Sequence, residues 1–221
     1  MIFENREEAA KILAARLDRY RGKNPLILAI PRGALPLARI LAERLEGELD
    51  VVLVHKIGAP GNQEFAIGSV SEFGNVTPSP AVETYGIPQE TVEKSAASEL
   101  KRLAERRKTY SPIRPPISAR GRIVIIADDG IATGATMLAA VHALRAQGAA
   151  RIVVAAPVGA PRSFELFKNE ADETLILDTP EDFFSVSQFY EEFPQVSDEE
   201  AIAILAESQK SSAEILRKKS A

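Results

Sequence analysis

The 221-residue sequence contains no cysteine and only two histidines, His55 and His142. The lack of cysteine excludes disulfide bonds, thiolate metal sites and a cysteine nucleophile. Two histidines argue against a multi-histidine zinc site. No apolar run approaches the ~20 residues that a membrane span needs. The formal net charge of −4 gives no sign of the basic excess that binds nucleic acid.

The length and the first residues set the expected organisation of the chain. A chain of 221 residues fits one α/β domain with room for an appendage, so we expect a single domain over residues 1–221. Residues 1–8 do not combine a basic region with an apolar core, so we expect no signal peptide. The expectation is a soluble, cytoplasmic protein that binds neither membranes nor nucleic acid.

Short apolar runs alternate with helical patterns along the chain. This alternation is typical of βαβ units and predicts an α/β fold with a parallel sheet flanked by helices. Asn5 with Glu8 indicates a capping box for the first helix, and Ser197 indicates the start of the last. We expect strands at about 25–30, 50–55, 65–71, 123–127, 151–156 and 173–177, and helices at about 5–20, 34–45, 88–110, 135–144, 162–169 and from 198 onward.

Residues 124–136, Val-Ile-Ile-Ala-Asp-Asp-Gly-Ile-Ala-Thr-Gly-Ala-Thr, are the most informative segment. An apolar strand pattern ends in two adjacent carboxylates, Asp128 and Asp129, and a glycine loop then leads into a helical pattern. Free amides at a helix N-terminus bind phosphate, and glycine lets the backbone approach it closely. Carboxylates do not suit phosphate, but they accept hydrogen bonds from vicinal hydroxyls. The combination predicts a site for a phosphorylated sugar.

This segment resembles, over its whole length, the phosphoribosyl pyrophosphate (PRPP) signature of the type I phosphoribosyltransferases. The resemblance implies that Asp128 and Asp129 hold the ribose hydroxyls and that the following loop holds the 5-phosphate. An ordinary strand-to-helix turn is the alternative, but the loop chemistry and the flanking elements argue against it. The implied 5-phosphate residues are Gly130, Ile131, Ala132, Thr133, Gly134, Ala135 and Thr136.

Two further positions resemble the pyrophosphate-binding parts of this family. Pro31, Arg32 and Gly33 correspond to the pyrophosphate loop, in which the resemblance implies a cis peptide bond between Pro31 and Arg32. The planar guanidinium of Arg32 suits phosphate oxygens, although a surface arginine in a proline-glycine turn is the alternative. Lys56 follows the predicted second strand at the carboxyl edge of the sheet, where α/β folds bind ligands. It resembles the basic residue that reaches the pyrophosphate, whereas we expect packing or hydrogen bonding of His55.

The segment at about 57–87 corresponds by position to the family's mobile loop. It contains no lysine or arginine, so it can exclude water but cannot neutralise pyrophosphate. Arg32, Lys56 and Mg²⁺ are therefore expected to neutralise the pyrophosphate charge. Arg106 or Arg107 could contribute, but a solvated helix face is the favoured interpretation of these two arginines.

The acceptor side departs from the hypoxanthine-guanine branch of the family. That branch has an aspartate immediately before the Thr-Gly of the signature, whereas this chain has Ala132, which weakens the case for a 6-oxopurine. The aromatic segment at about 179–196, with terminal segments, lies where the family builds its hood. Phe183 and Phe184 are the expected acceptor-binding rings, since stacking contributes roughly 1–3 kcal/mol per base. Hydrophobic packing is the alternative for most of these rings.

The resemblance implies transfer of 5-phosphoribosyl from PRPP to a nitrogen acceptor, such as a nucleobase in nucleotide metabolism. Asp128, Asp129, Lys56 and Arg32 are the expected catalytic residues. Mg²⁺ is the expected cofactor, carried by PRPP and reaching Asp128 or Asp129 only through water. PRPP and a small-molecule acceptor are the expected partners, and a homo-oligomer is compatible with the sequence. The alternative is a regulatory protein that binds PRPP without turnover, although no basic DNA-binding extension supports a transcriptional role.

Overall fold

The computed structural model describes residues 1–113 and 115–219, and the side chains of these residues except 63, 64 and 210–219. The helices and strands follow in the order in which they occur. They are α1 (Arg6–Arg16), β1 (Leu26–Ala29), α2 (Leu35–Leu45), β2 (Glu48–Val51), β3 (Val54–Ala59), β4 (Asn62–Ser71), β5 (Val76–Pro78), α3 (Ala81–Thr84), α4 (Gln89–Tyr110), β6 (Ile123–Ala127), α5 (Ala135–Ala146), β7 (Arg151–Val158), α6 (Pro161–Phe167), β8 (Glu173–Asp178) and α7 (Asp198–Lys219).

Five parallel strands form the central sheet in the order β2-β1-β6-β7-β8. The apolar runs of β1, β6 and β7 are almost wholly buried, as expected for strands covered on both faces by helices. Ala29 at the end of β1 pairs with Ala127 at the end of β6, so these two strands end at the same level, whereas β7 continues past Ala155 to Val158. The loops that follow β1 and β6 therefore lie side by side. This confirms the predicted α/β fold with a helix-flanked parallel sheet.

Both predicted helix starts are present, but the Glu8 side chain bonds to a different amide from the one that a capping box requires. The Asn5 side chain accepts hydrogen bonds from the amides of Glu7 and Glu8. The Glu8 carboxylate accepts from the amide of Glu4 rather than from that of Asn5, at 2.7 Å. The Ser197 hydroxyl accepts from an amide in the first turn of α7, which confirms it as the helix cap.

The predicted strand at 50–55 is wrong, because the chain changes sheets within it. β2 ends at Val51, and β3 begins at Val54 in a separate antiparallel sheet with the order β3-β4-β5. The run Val-Val-Leu-Val favours a strand throughout, and an apolar pattern cannot show which sheet a strand joins. The segment at 57–87 therefore contains most of this second sheet and α3. Its mobility stays a prediction.

Arg107 on α4 ties the two sheets together, so the expected solvated position for this residue is wrong. Its guanidinium is buried, with Nη2 3.0 Å from Asp50 Oδ2 and Nε 3.3 Å from Glu72 Oε2. Asp50 also accepts hydrogen bonds from the amides of Val51 and Ile117. The arginine thus joins β2, β4, α4 and the connector before β6. We call Arg107, Asp50 and Glu72 the structural cluster.

Within the described part of the chain, no helix combines the length and the apolar character needed to cross a membrane.

Candidate active site

Asp128 and Asp129 follow β6 at the carboxyl edge of the central sheet. The Asp128 amide donates to the carbonyl of Ala155, and the Asp129 amide donates to Asp128 Oδ1 at 2.9 Å. Burial, together with the neighbouring Asp129 charge, raises the pKa of Asp128 well above its usual range. Burial also raises the pKa of Asp129, and the positive charge of Arg6 opposes this rise. The pair is desolvated and shares a single nearby arginine.

Arg6, in the first turn of α1, holds Asp129. Its Nε and Nη2 atoms donate to the same carboxylate oxygen, Oδ2, at 3.0 and 2.9 Å. Its Nη1 donates to the carbonyl of Pro194 at 2.8 Å, and the guanidinium lies 3.7 Å from the centre of the Phe193 ring. The exposed fraction of the Arg6 side chain is 8%. Sequence reasoning missed this residue, since in the sequence Arg6 is one of several charges in an exposed-looking helical turn.

Two glycines bring the signature close to other segments. A Cβ atom at Gly33 would overlap Asp129 Oδ2, so the glycine allows the 31–33 turn to contact the carboxylate. A Cβ atom at Gly130 would overlap the side chain of Val186. The peptide bond between Pro31 and Arg32 is cis, which confirms that prediction.

The loop between β6 and α5 presents free amides. Gly134 has a φ of 73°, in the left-handed region that glycine adopts without strain, and it forms the N-cap of α5. No described hydrogen bond uses an amide of residues 132–136 as donor. The buried Ser163 hydroxyl donates a hydrogen bond to the carbonyl of Ile131 at 3.2 Å and so stabilises the loop. Unpaired amides at a helix N-terminus suit the oxygens of a phosphate group.

A pocket of about 380 Å³ adjoins the 31–33 turn. Three guanidinium groups line it, those of Arg6, Arg32 and Arg106, so it is suited to an anion. Arg32 also faces Asp198 on α7, with Nη1 3.4 Å from Oδ2. Of the two α4 arginines considered for this role, Arg106 lies at the pocket and Arg107 does not. The remaining lining residues are Pro31, Gly33, Phe193, Pro194, Gln195 and Val196.

Lys56 is exposed within β3 rather than at the end of a parallel strand, and it does not line this pocket. The structure brings the turn at 31–33 into contact with the carboxylate pair, and the loop at 130–136 follows that pair. Among the residues predicted to bind pyrophosphate, Lys56 is the one that does not line this pocket. His55 makes hydrogen-bonding contacts, with Nδ1 2.8 Å from the Lys56 carbonyl and 3.2 Å from Glu99 Oε2.

The aromatic segment covers the signature together with the first residues of the chain. Phe3 pairs with Tyr190 in a parallel bridge, and the Tyr190 hydroxyl donates to the Asp129 carbonyl at 2.6 Å. Burial raises the pKa of Tyr190, so its hydroxyl remains a donor. The Phe183 ring packs on Phe189 with centroids 5.3 Å apart, whereas Phe184 is 88% exposed. Phe183 is thus partly a packing residue, and Phe184 has a free face.

Comparison with known proteins agrees with this arrangement. The model of the phosphoribosyl transferase domain family matches residues 1–193. Two proteins of Mycobacterium tuberculosis, from strains H37Rv and CDC 1551, are named provisionally as phosphoribosyl transferases. Each is 39% identical over 217 residues, which cover 96% of this chain and 48% of the relative. The chain therefore spans about half the length of these relatives.

A solved structure extends the comparison to the fold. The crystal structure of a Thermus thermophilus protein is similar, with a TM-score of 0.84 and 42% sequence identity. The match covers 94% of this chain and 99% of that one, so the similarity extends over nearly the whole of both chains.

Proposed function

Because the chain belongs to the phosphoribosyl transferase domain family, we propose that it transfers 5-phosphoribosyl from PRPP to a nitrogen acceptor and releases pyrophosphate. The observation that supports this proposal is the contact of Asp129 with Arg6 and with the turn at Gly33. This contact places the carboxylate pair beside a pocket lined by three arginines, and the loop with free amides follows the pair in the chain. These three parts match the hydroxyls, the 5-phosphate and the pyrophosphate of PRPP.

Each part of PRPP has a proposed location. The amides of residues 132–136 and the hydroxyls of Thr133 and Thr136 hold the 5-phosphate, and Gly130, Ile131, Gly134 and Ala135 shape that loop. The ribose lies beside the carboxylates of Asp128 and Asp129. The turn at 31–33, with Arg32 and Arg106, holds the pyrophosphate, because the arginine fork pairs with phosphate oxygens.

The proposed chemistry needs no covalent nucleophile. The C1–O bond breaks and leaves its electron pair on pyrophosphate, while the acceptor nitrogen supplies the pair for the new C1–N bond. Positive charge that develops on the ribose is stabilised by the desolvated carboxylates, and negative charge on pyrophosphate is stabilised by the arginines. The residues contribute orientation and fixed charge.

Mg²⁺ fits this site as a partner of the substrate rather than as a resident ion. Among the described residues, no group of three or more histidine, cysteine, aspartate or glutamate side chains could hold a metal. Mg²⁺ commonly binds substrate phosphates and keeps several waters, so Asp128 or Asp129 would meet it through water. When bound, the ion neutralises pyrophosphate charge. Lys56 and the segment at 57–87 stay in the proposal as a cover over the pyrophosphate.

The acceptor is proposed to approach from the hood, which we assign to 179–196 and the first residues of the chain. Phe184 offers an exposed ring for a planar heterocycle. Ala132 supplies no carboxylate to handle a purine-ring proton, so 6-oxopurines are not the favoured acceptors.

Two measurements test the proposal. Calorimetry should show PRPP binding that depends on Mg²⁺, and a pyrophosphate-release assay over a panel of bases and amines should identify the acceptor. The double variant Asp128→Asn with Asp129→Asn should lose PRPP affinity by about a hundredfold or more, since two charge-assisted hydrogen bonds disappear. Asp182→Asn, which alters an exposed carboxylate in the hood, is the matched control and should bind PRPP as the parent protein does.

The outcomes separate the hypotheses. No PRPP binding with Mg²⁺ present would overturn the proposed function. Tight PRPP binding without pyrophosphate release for any acceptor would support a regulatory binding protein instead.

A further inference from the structure

Arg6 lies outside the PRPP signature, yet it makes the closest ionic contact to the signature carboxylates. We propose that Arg6 is a positioning residue that acts through Asp129. It fixes that carboxylate against the pyrophosphate turn and leaves Asp128 as the group that receives the ribose hydroxyls. The inference rests on the proposed function and assigns a different role to each carboxylate: Asp129 orients, and Asp128 binds the hydroxyls.

The contacts of Asp129 leave it little freedom. One carboxylate oxygen, Oδ2, accepts two hydrogen bonds from Arg6 and occupies the space beside Gly33. The Asp129 amide donates to Asp128, and its carbonyl accepts from the Tyr190 hydroxyl. Its side chain is 13% exposed. A carboxylate held in this way at both side chain and backbone orients its neighbours and has few sites left for a ligand.

Asp128 has the opposite character. Its Oδ1 atom accepts a hydrogen bond from the Asp129 amide, and its side chain also lies within hydrogen-bonding distance of the Asp129 side chain. No described hydrogen bond joins it to an arginine or a lysine. An ionised carboxylate has about four acceptor positions. Asp128 therefore keeps the capacity that two vicinal hydroxyls need, and its position depends on Asp129 through that one amide.

Arg6 is itself held in place, which favours positioning over direct binding. Each of its three guanidinium nitrogens donates a hydrogen bond, Nε and Nη2 to Asp129 and Nη1 to the Pro194 carbonyl, and the Phe193 ring covers the guanidinium face. With 8% of the side chain exposed, it cannot swing toward a ligand without breaking contacts to two segments. Arg32 and Arg106 line the same pocket, and neither has such a set of buried contacts described.

A double-mutant cycle tests the inference. Arg6→Met and Arg6→Lys are each made in the parent protein and in the Asp129→Asn variant. Arg16→Met, an exposed arginine on the same helix, is the control. The probes are Mg²⁺-PRPP and, separately, Mg²⁺ with inorganic pyrophosphate, both measured by calorimetry, with melting temperature recorded for every variant.

The expected pattern is specific to action through Asp129. Arg6→Met should weaken PRPP binding by about tenfold or more in the parent, and by less than about twofold in the Asp129→Asn background. Arg6→Lys keeps the positive charge at the pocket and should restore part of the PRPP affinity. In the parent background, Arg6→Met should weaken pyrophosphate binding by clearly less than it weakens PRPP binding. If Arg6→Met does not fold, the same cycle is run with Arg6→Lys, whose smaller loss should likewise vanish when Asp129 is replaced.

Three results would overturn the inference. Equal losses of PRPP affinity in both backgrounds would make Arg6 independent of Asp129. A loss of pyrophosphate binding as large as the loss of PRPP binding would make Arg6 a direct ligand contact. Losses that follow melting temperature, without rescue by Arg6→Lys, would make its role structural. A parent protein that does not bind PRPP would overturn the proposed function itself, and the first titration identifies that case.

Discussion

Two buried arginine–carboxylate clusters can be compared directly. One is the structural cluster around Arg107, and the other, which we call the signature cluster, consists of Arg6, Asp128 and Asp129. In the first, Asp50 accepts hydrogen bonds from Arg107 and from two amides. Glu72 accepts a hydrogen bond from the Leu53 amide and forms an ion pair with Arg107. In the second, Arg6 contacts one oxygen of Asp129, and Asp128 has a single amide donor. Carboxylates with several donors stabilise the junction of elements, whereas Asp128 keeps acceptor positions for another molecule.

The pKa values show the same contrast. Burial raises the pKa of Glu72, and the largest influence after burial is the Arg107 charge, which lowers it; the Asp50 charge raises it by less. Burial raises the pKa of Asp128, and the negative charge of Asp129 adds to it. A carboxylate that is buried beside a like charge lowers the stability of the fold. Such an arrangement is kept mainly where function needs it, so groups with pKa values shifted in this way cluster at functional sites. The comparison thus separates carboxylates that maintain the fold from those available for binding.

The largest expected effect is on the structural cluster. Arg107→Met should lower the free energy of unfolding by about 3–5 kcal/mol, since it leaves two buried carboxylates without their counter-charge. Urea unfolding followed by circular dichroism measures this loss. Arg106→Met is the matched control on the adjacent residue, with an expected stability change within about 0.5 kcal/mol and weakened PRPP binding. Similar stability losses for the two variants would contradict the comparison.

The same contrast between partnered and free groups extends to the hood rings. Phe184→Ala should weaken acceptor binding by roughly 1–3 kcal/mol, about ten- to a hundredfold, and leave PRPP affinity and melting temperature unchanged. Phe183→Ala should instead lower stability, because its ring packs on Phe189. The KM of the acceptor found in the pyrophosphate-release panel and the melting temperature are measured for both. If Phe184→Ala lowered the melting temperature and weakened PRPP and acceptor binding equally, Phe184 would be a packing residue rather than an acceptor-binding ring.

A smaller effect, of opposite sign, is expected at Asp128. Its pKa is higher in the folded than in the unfolded chain, so its contribution to stability is present at low pH and is lost as pH rises through the folded pKa. Asp128→Asn removes the buried charge and should raise stability by on the order of 1 kcal/mol at pH 8. The gain should be smaller at pH 5, as melting curves at both values can show.

The neighbouring carboxylate provides the contrast for this experiment. Asp129→Asn leaves Arg6 without its counter-charge, so this variant should lose stability. A stability loss at pH 8 for Asp128→Asn as well would mean that the two carboxylates do not differ as described.

Features encoded by neighbouring residues could be predicted from the sequence. The strands that carry the site, β1 and β6, are short apolar runs followed by glycine-containing turns, and both are present. The partners of Arg6 and Arg107 could not be predicted, because Arg6 and Asp129 are 123 positions apart and Arg107 and Asp50 are 57 apart. The passage of the chain from one sheet to the other after Val51 could not be predicted either, because residues with high β-propensity continue across it. Tertiary pairing, rather than local preference, decides such features.

The contact between Arg6 and the Pro194 carbonyl spans 188 positions of the chain. At a synthesis rate of about 5–20 residues per second, that separation corresponds to on the order of 10–40 s between the two residues. Throughout this interval the nascent chain contains α1 without the segment that covers the Arg6 guanidinium. The buried position of the Arg6 guanidinium can therefore form only after Pro194 has been synthesised, and the proposed alignment of Asp129 by Arg6 depends on the same segment.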